Sequence, residues 1–97
     1  MAVWESRSVK SWATIVWMSK NAHWVVVELD GGAGSVFENE ESELEVGEQL
    51  FADWTVYGGW EQVYHKSASF PFDVHIHSRF PSLQGVVNAA KKWAGED

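Results

Sequence analysis

Asp73, His75 and His77 come nearest to a chemical constellation in this chain. Side chains two residues apart on an extended strand share one face, and two imidazoles so placed can reach one metal ion. With His65 brought alongside, the set reads as a zinc-like site. It reads more simply as the exposed polar face of a half-buried strand, because nothing identifies a fourth ligand or the groups that would orient the first three.

Aromatic side chains form the second candidate, since seven tryptophans in 97 residues is the unusual figure of the composition. Tryptophan fills cores, but it also supplies stacking platforms and interface anchors. Trp17, Trp24, Trp54 and Trp60 are the ones to weigh. Trp54 alternates with Leu50, Ala52 and Val56 and so belongs to a core. Trp60 follows Gly58-Gly59 at a hairpin tip, and with Tyr57 on the preceding strand it is a candidate contact patch.

The third candidate is a run of glutamates: Glu38, Glu40, Glu41, Glu43, Glu45 and Glu48. Such a run repels itself and stays solvated, which predicts an exposed connection, helical in part, tethered to the core by Leu44 and Val46. Docking on a basic partner is the alternative, which composition favours less than the solvated connection. No Ser/His/Asp arrangement or paired-carboxylate motif has a specific spacing, and Asp30-Gly31-Gly32-Ala33-Gly34 lacks the lysine and the following helix of a phosphate loop. We therefore expect no catalysis and no cofactor.

Fourteen acidic against seven basic residues give a formal charge of −7. That field repels phosphates and favours basic partners. The chain has no cysteine, which removes disulfides and thiolate chemistry and is compatible with a reducing compartment. No apolar run approaches the roughly 20 residues needed to span a bilayer. Met1-Ala2-Val3-Trp4-Glu5 lacks the basic-then-apolar order of a secretion signal, so no membrane association and a cytoplasmic location are expected.

The elements that must position these residues are mostly strands. Residues 1–11 read as an arm or an edge strand. Trp12 to Met18 is β-branched and aromatic, and Ser19-Lys20-Asn21 supplies a turn before a second strand, Ala22 to Leu29, apolar on both faces. Asp30 to Gly34 is a turn, and Ser35 to Glu38 a short third strand. Gln49 to Tyr57 alternates, Gly58-Gly59 reverses it, and Trp60 to His65 returns. Phe70 to His77 puts Phe70, Phe72, Val74 and Ile76 on one face. Pro71 lacks an amide hydrogen, so this strand should begin at or run along a sheet edge, where a homodimer could pair. Leu83, Val86, Val87 and Ala90 then fall at helical spacing, predicting a helix over 82–94 capped by Ser82 and stopped by Gly95.

Two stretches carry a resemblance: Val27-Glu28-Leu29-Asp30-Gly31-Gly32, and Leu44-Glu45-Val46-Gly47-Glu48 at the entry to the fourth strand. Over about residues 12–65 the chain resembles the oligonucleotide/oligosaccharide-binding (OB) fold, and in particular the RNA-binding repeats of a bacterial ribosomal protein. Independently of the family, Val46-Gly47-Glu48 should turn the chain into the fourth strand while Val46 plugs the barrel end; the resemblance itself implies a barrel with a nucleic-acid face on the second and third strands. It places His23 and Val26 where exposed aromatics belong, and Phe37 where a histidine belongs. The basic residues of that face are absent, and the C-terminal strand and helix lie outside the pattern.

The expectation is thus one domain over 1–97: mainly β, a five- or six-stranded, OB-like, partly open barrel with one C-terminal helix. Its expected role is a non-enzymatic protein-interaction module presenting an acidic, tryptophan-rich surface to a basic protein. The alternative is single-stranded RNA or DNA bound on an aromatic face, which the charge disfavours. The candidate binding residues are Trp17, His23, Trp24, Phe37, Tyr57 and Trp60, beside the six glutamates.

Overall fold

The structure, a computed structural model, describes residues 10–40, 43–56, 58–65 and 71–96. Six strands, β1 (Lys10–Met18), β2 (Trp24–Glu28), β3 (Gly34–Glu38), β4 (Gln49–Asp53), β5 (Gly59–His65) and β6 (Phe72–Phe80), precede one helix, α1 (Leu83–Ala94). Around the barrel the order is β1-β2-β3-β6-β5-β4, closing on β1, with every neighbouring pair antiparallel. The expected mainly β architecture with a single C-terminal helix is the one observed.

Alternation sorts the side chains into two clusters. Ile15, Val25, Val27, Phe37, Leu50, Ala52, Trp54, Val63, Val74 and Ile76 fill the barrel interior. Val26, Val36, Val86 and Ala90 form a second cluster outside it, where α1 lies across β2, β3 and β6. Both faces of β2 are apolar because one faces the interior and the other the helix. A bulge in β1 serves the same division: Ile15 pairs Val27 and Trp17 pairs Val26, leaving Val16 extra. Val16 and Trp17 can then both turn to the helix while Met18 returns to the interior.

The turns follow local chemistry. Gly31 and Gly32 both have φ of +86°, which only glycine adopts without steric cost, and Leu29 N donates to Ala33 O at 2.9 Å to close the reversal. Ser82 caps α1 by accepting from Gly85 N, and Gly95 ends it in the left-handed conformation.

Several expectations are corrected. β6 does not run along an edge: it pairs with β3 from Phe80 to His75 and with β5 from Ile76 to Phe72, and only its start, at Phe72 and Asp73, reaches past the end of β3. Val46 does not plug the barrel. It is 60 % exposed, at the corner of a turn held by Glu48 N to Glu45 O, Gly47 N to Ile15 O and Ile15 N to Glu48 O; Leu44 alone dips into the core. No helical turn occurs between Glu38 and Glu48 among the described residues. β4 stops at Asp53 instead of running to Tyr57, because Asp53 Oδ1 accepts from Thr55 N and Thr55 Oγ1 and turns the chain. The arm expected over 1–11 lies outside the described residues except for Lys10 and Ser11, which start β1.

Candidate functional site

The outer face of the barrel gathers most of the candidate residues into one belt. Cross-strand register does this: Trp60 of β5 pairs His75 of β6, His75 pairs Glu38 of β3, and Glu38 pairs Trp24 of β2. Directly paired residues on antiparallel strands point to the same face. The Trp60 ring stands edge-on to His75, with centroids 5.4 Å apart. Glu38 bridges two imidazoles, Oε2 lying 3.5 Å from His75 Nδ1 and Oε1 3.1 Å from His23 Nε2. His23 in turn meets the edge of Trp24 at 5.4 Å.

Beyond Trp24 the belt passes under the helix. Trp93 of α1 lies 5.5 Å from Trp24 and 4.3 Å from His77, ring centroid to centroid. That end is a packing joint. The other end is open: Trp60 is 68 % exposed, and beside it Glu38, Glu40, Pro71, Phe72, Asp73 and His75 line a groove of about 730 Å³. Three carboxylates, an exposed indole and two apolar side chains make this surface complementary to a cation carried on an apolar stem.

The remaining candidates go elsewhere. Phe37, expected on a binding face, is fully buried with its ring 6.1 Å from Trp54, because its register partner Val25 also points into the barrel. Trp17 is half-buried against the helix cluster. Trp54 is core, as expected, and its Nε1 donates to Ser11 O at 2.9 Å. Tyr57 and Glu41 lie outside the described residues. Of the other glutamates, Glu40, Glu43 and Glu45 are exposed, while Glu48 Oε2 sits 2.8 Å from His65 Nε2 across the β4–β5 seam.

Asp73, His75 and His77 share an outer face but not a centre. His75 turns to Trp60 and Glu38, His77 is drawn into the helix joint and hydrogen-bonds Ser78 Oγ at 2.7 Å, and Asp73 stays exposed. Among the described residues no group of three or more His, Cys, Asp or Glu side chains is gathered closely enough to hold a metal ion.

A second surface escaped the sequence reading. On the side of the barrel away from α1, Trp12 pairs Phe51 and Phe51 pairs Tyr64, giving a row across β1, β4 and β5 with centroids 5.1 and 6.5 Å apart. Trp12 and Tyr64 are exposed, and Lys10 Nζ stands 5.4 Å from the Tyr64 centroid. Alternation could have found these rings, since Phe51 flanks the inward Leu50 and Ala52, and Tyr64 the inward Val63. Only the pairing of distant strands makes them a row.

No helix among the described residues is long and apolar enough to cross a membrane. No protein-family model matches the chain, and neither a curated protein nor a solved structure matches it significantly.

Proposed function

We propose that this protein is a non-enzymatic interaction module that binds a basic protein partner through the groove between Trp60 and the carboxylates of Glu38, Glu40 and Asp73. The observation that carries the reading is Trp60 itself, 68 % exposed at the mouth of an acidic groove. A tryptophan left in water at a groove is the residue type most enriched among binding hot spots, and cations bind indole faces. The charge of −7 adds a long-range field that attracts a basic partner and repels an acidic one. We read the whole chain, 1–97, as one OB-like domain working in the cytoplasm.

Titration with a hexa-arginine peptide, with hexa-glutamate as control, tests this. Binding should occur at low salt, weaken as salt screens the carboxylates, and be lost in Trp60→Ala. Equal binding of both peptides, or of neither, removes the proposal.

A second reading is single-strand nucleic acid binding, favoured by the row Trp12, Phe51 and Tyr64 with Lys10 beside it. Rings across adjacent strands are the arrangement on which unstacked bases lie. An oligothymidylate that binds the wild type, but not Trp12→Ala, would move the function to this face.

A further inference from the structure

β6 outruns its neighbour at the groove. Its pairing with β3 ends at Glu38↔His75, while its pairing with β5 continues through Gln62↔Asp73 to Val63↔Phe72. Two hydrogen bonds fix which way the overhanging main chain faces. Ile76 O accepts from Gly58 N at 2.7 Å, so Ile76 turns toward β5; Asn39 N donates to His23 O at 2.7 Å, so Asn39 turns toward β2. In an antiparallel ladder, alternate residues present both main-chain groups to the same neighbour. Val74 and Phe72 therefore face β5 with Ile76, whereas His75 and Asp73 face the β3 side. There Glu38 meets His75, but β3 has ended before any of its residues stands opposite Asp73.

We propose that a basic partner enters this groove as an extended segment and adds a short strand to β6, exchanging main-chain hydrogen bonds with Asp73. This rests on the acidic-groove reading and specifies how the partner is held. The partner residue opposite Asp73 points to the outer face, among the carboxylates of Glu38, Glu40 and Asp73 and toward Trp60, and charge complementarity makes it arginine or lysine. Its two neighbours point the other way, toward Phe72, which packs against the barrel interior, so they are apolar. The recognised pattern is apolar-basic-apolar in an extended chain. Main-chain pairing supplies the affinity, and the alternate side chains the selection.

The probe is a capped peptide, Thr-Thr-Val-Arg-Val-Thr-Thr, whose single arginine sets the register, added to the full chain labelled for NMR. Binding should slow exchange of the Asp73 amide and shift the Trp60 indole N–H. Methylating the arginine main-chain nitrogen should weaken binding about tenfold, whereas methylating that of the preceding valine should change it less than about twofold. If the Trp60 resonance shifts but Asp73 stays unprotected and both methylated peptides bind like the parent, strand addition is overturned while the basic-groove reading stands. If neither resonance moves, both fall.

Discussion

Val86 of α1 rests directly on the main chain of Gly34 in β3. A Cβ at Gly34 would overlap Val86 Cγ1 and come within 3.1 Å of Leu83 Cδ1, so the helix docks where a side chain is missing. Gly34→Ala should lift α1 from the barrel and destabilise the protein by about 1–3 kcal/mol, the usual range for overpacking. Val86→Ala in the same chain should return part of that loss in urea unfolding. A fully stable Gly34→Ala variant would mean that the helix does not sit this close.

The other end of the helix is held by Trp93, whose ring lies tilted against those of His77 and Trp24. Its removal costs the ring contacts and part of the burial of Trp24. We expect Trp93→Ala to lower stability by about 1–2 kcal/mol and to weaken the near-ultraviolet circular dichroism of the tryptophans. Unchanged unfolding and spectra would show that the ring contributes nothing to docking.

Phe37 and Trp60 should behave as opposites. Phe37 is fully enclosed, so Phe37→Ala leaves a cavity and should cost about 3–5 kcal/mol. Trp60→Ala removes a ring that stands mostly in water and should leave stability within about 0.5 kcal/mol while abolishing capture of hexa-arginine. Thermal melts and the peptide titration, run side by side on both variants, decide this.

The seam between β4 and β5 is the thinnest part of the wall, its register confined to Leu50↔His65 and Phe51↔Tyr64. Glu61 spans the gap: its Oε2 accepts from Asp53 N at 3.0 Å and lies 3.3 Å from Lys10 Nζ. Glu61→Ala strips Asp53 N of its acceptor and should cost about 1–3 kcal/mol. Faster hydrogen exchange at the Asp53 amide is the direct readout; an unaltered rate would show that the seam closes without Glu61.

Local signals in the sequence were enough for the elements. Period-two alternation marked the inward residues Val25, Val27, Leu50, Ala52, Val74 and Ile76, and the helix from Leu83 was legible from its spacing and from caps at Ser82 and Gly95. These are properties of a few consecutive residues, because side-chain direction and capping depend on neighbours in the chain. The acidic balance and the surplus of tryptophan were equally plain.

Which tryptophan meets water was not a local property. Trp60 and Trp24 occupy the same outer belt, yet α1 covers one and leaves the other open, and that depends on a helix that follows them in the chain. Phe37 read as a surface residue until its pairing with Val25 turned it inward. Gly34 looked like part of a turn, and only the approach of Val86 shows it to be a packing site. The sequence by itself determined strands, caps and charge; the closing of β6 between β3 and β5 decided the belt, the groove and the overhang of β6 past the end of β3. Register between strands distant in sequence comes from the collective fit of the core, which no window of consecutive residues contains.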